Sequence, residues 1–97
     1  MNETNLGQVL SEVYQVISQR KSVEKAGSYT TYLFKEGQDK ILKKVGEEAA
    51  EVIIGSKNHD KSEIIYESAD LLYHLLVLLC FHGIGLEEIA RELAERR

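Results

Sequence analysis

Residues 38–81, QDKILKKVGEEAAEVIIGSKNHDKSEIIYESADLLYHLLVLLCF, decide the fold. Their apolar residues recur at intervals of three and four, which is the period of an α-helix. A polar interruption at 58–60 divides the stretch into one helix from Gln38 to Ser56 and another that runs to about His82. A connection this short favours antiparallel packing of the two helices. The stretch therefore predicts a central antiparallel helix pair.

Shorter helices are predicted around this pair. Apolar residues at helical spacing predict one helix from Leu6 to Ile17 and a terminal helix that begins near Leu86. Ser28 is placed to cap a short helix that runs through Phe34. Proline, the commonest helix breaker, is absent from the chain. We therefore expect an all-α fold in which residues 1–97 form a single domain of four to five helices.

The second central helix is apolar on almost every side between Leu71 and Phe81. A helix without a polar face must be covered all round, which a chain of 97 residues can hardly achieve alone. We therefore expect a homodimer or a higher homo-oligomer, assembled as an intertwined helical bundle with this helix in the shared core.

Charge and composition exclude several classes of partner. The net charge is −4 and no basic stripe is present, which argues against a nucleic-acid partner. The apolar run 71–81 would reach only about 16 Å as a helix, too short to cross a membrane. Met1 to Asn5 lack the basic and apolar segments of a secretory signal, and the single Cys80 cannot form an intramolecular disulfide. We therefore expect a cytoplasmic protein.

Five carboxylates border the seam between the two central helices. Glu47, Glu48 and Glu51 fall on one side of the first helix, beside its apolar arc. Glu67 and Asp70, three residues apart, border the apolar stripe of the second helix. Antiparallel packing would bring the two groups face to face. Without these five residues the chain has 11 acidic residues against 12 basic ones, so its net acidity resides in this cluster.

Such a cluster predicts a metal site, because close carboxylates repel one another until a cation offsets their charge. Mg²⁺ suits the site, since it prefers oxygen ligands shared with substrate phosphates, and Mn²⁺ is an alternative. We predict Glu48, Glu51, Glu67 and Asp70 as metal ligands. Glu47 and Glu48 are the predicted catalytic residues, with Glu47 holding a second metal or acting as the base. The competing interpretation is that these acids form a solvated helix face.

Three lysines on the first central helix, Lys40, Lys43 and Lys44, are predicted to bind substrate phosphates. The alternative is that Lys40 and Lys44 simply pair with the nearby carboxylates at helical spacing. His74 lies near the acidic face, and we expect it to have a structural role.

At these residues the chain resembles the all-α nucleotide pyrophosphohydrolases, the MazG-like superfamily. The mark of that superfamily is EExxE followed by ExxD, here Glu47-Glu48-x-x-Glu51 and Glu67-x-x-Asp70. The segments SYT (28–30), KKVGEEAAE (43–51) and ESADLLYHLLVLL (67–79) are similar to those of the phosphoribosyl-ATP pyrophosphohydrolase family. The resemblance covers residues 6–96.

The resemblance implies the second step of histidine biosynthesis, in which phosphoribosyl-ATP and water give phosphoribosyl-AMP and pyrophosphate with magnesium required. Family members also occur fused to the cyclohydrolase of the next step, and because this chain starts at Met1 and holds only the helical domain we expect the stand-alone form. Two other functions stay open. One is a house-cleaning pyrophosphatase of the same superfamily that acts on dUTP or another non-standard triphosphate, and the other is a non-catalytic helical dimerisation module.

Overall fold

The computed structural model describes residues 4–97. Met1 to Glu3, which belong to the segment considered above for export, lie outside the described residues. Within residues 4–97 the chain forms five α-helices and no strand, which confirms the all-α prediction. The helices are α1 (Leu6–Ser22), α2 (Tyr29–Glu36), α3 (Gln38–Lys57), α4 (Lys61–Phe81) and α5 (Leu86–Glu95).

Helices α3 and α4 form the predicted antiparallel pair. His59 turns the chain between them with a φ of 53°, in the left-handed region. The Asp60 carboxylate then caps α4 by accepting from the Glu63 backbone N–H at 3.1 Å. The helices approach closely beside this turn, because a Cβ on the buried Gly55 would already touch Glu63 and Ile64 at 3.5 Å. The tight turn and the small residue together hold α3 and α4 in register.

Specific capping residues define the two ends of helix α2. The Ser28 hydroxyl accepts from the Thr31 backbone N–H at 3.1 Å, as predicted for the start of α2. Gly37 is both the last cap of α2 and the first cap of α3, and its φ of 96° is a conformation that side-chain-bearing residues rarely adopt. The chain therefore bends sharply at Gly37, which sets α2 against the start of α3.

Helix α1 continues to Ser22, beyond its predicted end at Ile17, because residues 18–22 are polar and add no apolar period to the sequence. This extension has a structural use. Lys21 Nζ donates to the Cys80 carbonyl at 2.7 Å and to the Phe81 carbonyl at 3.3 Å. A cation here satisfies carbonyls at the end of α4 and interacts favourably with its dipole.

The face of α3 that packs on α4 differs from the predicted apolar arc. That arc runs from Ile41 through Leu42 to Ile53 on the helical wheel. Leu42 and Ile53 are exposed, whereas Ile41 is buried together with Glu48 and Gly55, which lie outside the arc. The packed face is therefore rotated toward the carboxylates. The fully or nearly buried apolar core of the described chain is small and comprises Ile17, Leu33, Ile41, Leu76, Val77 and Cys80.

Helix α4 is 21 residues long and, by length and composition alone, apolar enough to span a membrane. Core helices of water-soluble proteins meet the same criterion. The α4 residues Val77 and Cys80 pack in the core, and the helix also carries Glu67, Asp70 and the buried His74. Ionisable residues inside a membrane segment are costly, so α4 is not a clear membrane span.

Candidate metal centre

An acidic cleft of about 480 Å³ lies between α3 and α4. The residues that line it are Glu47, Glu48, Ala50, Glu51, Tyr66, Glu67 and Asp70. The structure therefore brings all five of the predicted carboxylates to one place. The two acidic groups meet because Glu48 of α3 lies across the antiparallel pair from Asp70 of α4.

Glu48 lies at the centre of the packed face, with only 6% of its surface exposed. Its burial, followed by its hydrogen-bonding proximity to Asp70 and Glu67, raises the pKa of the Glu48 carboxyl to about 7, and Lys44 opposes the rise only in part. When Glu48 is ionised, the negative charge of this group of three carboxylates is therefore not fully neutralised by the surrounding residues. This differs from the sequence-based expectation, which set Glu48 at the edge of the core.

The donor set of the cleft fits a hard divalent cation. All five acidic side chains offer carboxylate oxygens, and oxygen ligands are what Mg²⁺ and Mn²⁺ prefer. Oxygen atoms of Glu48 and Asp70, with a ring nitrogen of His74, lie within 4.8 Å of one another. A cation bound there would offset the burial and the neighbouring Asp70 and Glu67 carboxyls that raise the Glu48 pKa.

The three predicted phosphate-binding lysines lie in different surroundings. Lys44 Nζ is 3.4 Å from Glu47 Oε1 and 3.6 Å from Glu48 Oε2, so Lys44 belongs to the acidic cluster. Lys40 lies over the ring of Tyr32, 5.7 Å from its centroid. Lys43 is on the exposed face of α3 and does not line the cleft described above. The pairing of Lys44 with carboxylates is the alternative that the helical spacing had left open.

His74 and Tyr29 are connected to this cluster. His74 is buried and lies between Asp70 and the hydroxyl of Tyr29, at the start of α2. Partial burial, with smaller contributions from Asp70 and Glu48, raises the pKa of Tyr29 against the opposing effect of Lys44. The Tyr29 hydroxyl is therefore a neutral donor at neutral pH. Sequence spacing alone did not connect Tyr29 with Asp70, because they lie on different helices.

Comparison with known families agrees with this architecture. The phosphoribosyl-ATP pyrophosphohydrolase family matches residues 10–97, almost the whole chain. The chain belongs to that family. Every residue of the acidic cleft, and the Tyr29–His74 pair with it, falls inside the matched range.

The names of three relatives state either the activity of the family or the pathway to which it belongs. The phosphoribosyl-ATP pyrophosphatase of Lactiplantibacillus plantarum is 56% identical over 92% of this chain and 84% of its own length. That of Pelotomaculum thermopropionicum is 53% identical over 92% of this chain and 91% of its own length. The histidine biosynthesis bifunctional protein HisIE of Thermoanaerobacter pseudethanolicus is 61% identical, and this chain spans 42% of its length.

The raised Glu48 pKa predicts an unusual pH dependence of stability for this family member without metal. The folded state holds the Glu48 proton up to about pH 7, whereas the unfolded chain releases it near its ordinary value of 4.5. This stabilisation is complete below about pH 4.5 and is lost as the pH rises through 7. We expect the free energy of unfolding in EDTA to fall by about 2 kcal/mol between pH 5.5 and pH 8.

Thermal denaturation in EDTA across this pH range measures the effect, and saturating Mg²⁺ should flatten it because the cation replaces the proton. The Glu48→Gln variant should be flat in both conditions. A wild-type melting temperature that rises with pH in EDTA would contradict the prediction.

Proposed function

We propose that the chain hydrolyses the α–β phosphoanhydride of phosphoribosyl-ATP, giving phosphoribosyl-AMP and pyrophosphate, the second step of histidine biosynthesis. The observation that carries the proposal is the cleft that gathers five carboxylates around the buried Glu48. Membership of the phosphoribosyl-ATP pyrophosphohydrolase family supports the substrate. The names of two relatives matched over 84% and 91% of their length support it further.

In the proposed site Glu48, Glu51, Glu67 and Asp70 would hold Mg²⁺, with Mn²⁺ as a substitute. When bound, such a cation neutralises phosphate oxygens and lowers the pKa of a water molecule for attack on phosphorus. Our candidate for accepting the proton of that water is Glu47, which lines the cleft. The Glu48→Gln and Asp70→Asn variants test two of these predicted roles.

The basic groups have complementary tasks in this proposal. Lys44 lies within 4.0 Å of two cleft carboxylates, so its ammonium group is placed to exchange them for substrate phosphate oxygens. Partial burial lowers the pKa of Lys44, but Tyr29, followed by Glu47 and Glu48, outweighs that effect and raises the pKa above its ordinary value. The cation therefore keeps its charge at neutral pH. We propose that Lys40 and Lys43 offset charge on the outer phosphates.

The two rival functions are less well supported. A house-cleaning pyrophosphatase for dUTP would use the same acidic ligands, but the relatives compared here are named for phosphoribosyl-ATP or for histidine biosynthesis. A non-catalytic dimerisation module would have no reason to bury Glu48 beside Asp70 and Glu67. Burial of an unneutralised carboxylate destabilises a fold and is retained where it serves a site.

Substrate specificity and metal dependence can be tested together by measuring pyrophosphate release from phosphoribosyl-ATP, dUTP and ATP. We expect release from phosphoribosyl-ATP with Mg²⁺, its loss with EDTA, and its return when Mg²⁺ is added in excess. The expected preference over dUTP and ATP is at least about 100-fold in kcat/KM, which corresponds to about 2.7 kcal/mol of discrimination. A preference for dUTP would move the chain to the house-cleaning class, and no release from any substrate would favour the module.

We also propose a cytoplasmic homodimer or higher homo-oligomer. Large apolar side chains are exposed on both central helices, including Leu42 and Ile53 on α3 and Ile65 and Leu72 on α4. The radius of gyration is 14.4 Å, above the roughly 13 Å of a compact domain of this length. Both features are those of a subunit whose core is completed by another copy.

A further inference from the structure

Two neighbouring residues of α2 bond to two neighbouring residues of α4. The Tyr29 hydroxyl lies 2.9 Å from His74 Nε2. The Thr30 hydroxyl hydrogen-bonds the Tyr73 hydroxyl. Only the first of these two links continues toward the acidic cleft, because His74 also contacts Asp70. The Tyr29–His74 contact can therefore be compared with the Thr30–Tyr73 contact, which joins the same two helices but does not reach the cleft.

The surroundings of His74 determine which ring nitrogen carries the proton. His74 is 2% exposed, and its Nδ1 lies 2.8 Å from the Asp70 carbonyl oxygen and 3.4 Å from Asp70 Oδ1. Both of these oxygens only accept hydrogen bonds, so in the neutral ring Nδ1 carries the proton. Nε2 is then the acceptor, and the Tyr29 hydroxyl must donate to it. Tyr29 therefore satisfies Nε2 in the tautomer that the Asp70 oxygens select.

This arrangement argues against His74 as a metal ligand, although its ring nitrogen lies within 4.8 Å of carboxylate oxygens of Glu48 and Asp70. The Nδ1 proton is directed at Asp70, and the Nε2 lone pair is used by Tyr29. A ligand nitrogen would have to give up one of these bonds inside a buried site. Groups that hydrogen-bond a ligating carboxylate fix its orientation, and their loss typically costs 10- to 100-fold in metal affinity or activity.

We infer that Tyr29 and His74 are positioning residues that hold the Asp70 carboxylate toward Glu48, so that docking of α2 prepares the cation site. This inference rests on the proposed function, since it assumes that Asp70 is a metal ligand. The chain of contacts is continuous: Tyr29 donates to His74 Nε2, the Nδ1–H donates to the Asp70 carbonyl, and Asp70 Oδ1 lies 3.4 Å from the same nitrogen, where the N–H dipole attracts it. Without the Tyr29 hydroxyl, Nε2 of the buried ring loses its donor, and the ring loses the contact that holds its Nδ1–H against Asp70.

The test is direct titration with Mn²⁺ by calorimetry, beside the Mg²⁺ concentration for half-maximal pyrophosphate release. We compare the wild type with Tyr29→Phe, Tyr73→Phe and Asp70→Asn. Tyr73→Phe is the matched control, because it removes the same hydroxyl from the other link between α2 and α4. We expect Tyr29→Phe to weaken Mn²⁺ binding about tenfold and to raise the Mg²⁺ requirement similarly. Tyr73→Phe should stay within about twofold of the wild type, and Asp70→Asn should lose binding.

Each outcome decides between the two levels of the proposal. Wild-type Mn²⁺ affinity in Tyr29→Phe, with binding lost in Asp70→Asn, overturns the positioning role and leaves the metal centre intact. Wild-type affinity in Asp70→Asn overturns Asp70 as a metal ligand and with it the inference. If Tyr29→Phe and Tyr73→Phe weaken Mn²⁺ binding equally, Tyr29 only joins α2 to α4, and the inference is also overturned.

A second pair of variants at His74 guards against a loss caused by misfolding. Asn places an amide N–H near the position of the imidazole Nδ1, whereas Leu fills a similar volume without a donor. We expect His74→Asn to retain several-fold more Mn²⁺ affinity than His74→Leu when both give wild-type helical circular dichroism. Equal affinities in two folded variants would contradict the positioning role.

Discussion

Glu48→Gln is expected to lower kcat/KM for pyrophosphate release by on the order of 10³-fold, the loss typical when a group that stabilises transition-state charge is removed. The same change should stabilise the metal-free protein at pH 8. At that pH the wild type buries an ionised carboxylate beside Asp70 and Glu67, and glutamine removes the charge while keeping nearly the same shape. We expect a melting temperature higher by about 5–10 °C in EDTA.

Measurements of activity and melting temperature on the same preparations test whether activity falls while stability rises. Glu12→Gln is the matched control, since Glu12 is exposed in the middle of α1 and outside the cleft. It should leave both quantities near the wild-type values. If Glu48→Gln keeps its activity, Glu48 is not part of the catalytic site. If the variant is less stable than the wild type in EDTA, the fold and not a cation neutralises the Glu48 carboxylate of the wild type.

The double variant Ile65→Lys, Leu72→Lys is expected to dissociate the assembly into monomers and to lower the melting temperature by roughly 10 °C or more. Ile65 is 59% exposed and Leu72 is 40% exposed in the single chain. If the chain worked alone, lysines at such positions would change stability by only about 0.5 kcal/mol each. At a contact between copies, each lysine would have to lose its water, which costs several kcal/mol.

Sedimentation velocity and thermal denaturation of the double variant distinguish these cases. Val23→Lys provides the control, because Val23 is also an exposed apolar residue but lies at the end of α1, away from both central helices. A double variant with the wild-type mass and melting temperature would exclude this face of α4 from the assembly. Pyrophosphate release by the monomer would further report whether one copy holds a complete site.

The convergence of the acids was predictable from local rules. The spacing of Glu48 and Glu51 on one helix, and of Glu67 and Asp70 on the next, sets each group on one side of its helix. The three-residue break between Lys57 and Lys61 leaves little choice but an antiparallel return. Both rules concern residues that are close together in the chain, and together they account for the meeting of the acids in the cleft.

The depth of Glu48 was not predictable in the same way. On the helical wheel the apolar arc of α3 includes Leu42 and Ile53, and its centre lies away from Glu48. The structure instead buries the side with Ile41 and Gly55, and at Gly55 α3 lies in contact range of Glu63 and Ile64 of α4. Which of two adjoining faces meets a partner depends on all of the helices at once, so periodicity alone does not decide it.

The sequence by itself determined the five helices apart from the last residues of α1, the cap at Ser28 and the acid spacing, because these depend on interactions between residues at most four positions apart. Only the tertiary structure decided that Glu48 is buried with a raised pKa and that Tyr29 reaches Asp70 through His74. Those properties depend on contacts between residues that are distant in the chain. Burial, charge and tautomer follow from which helix faces meet.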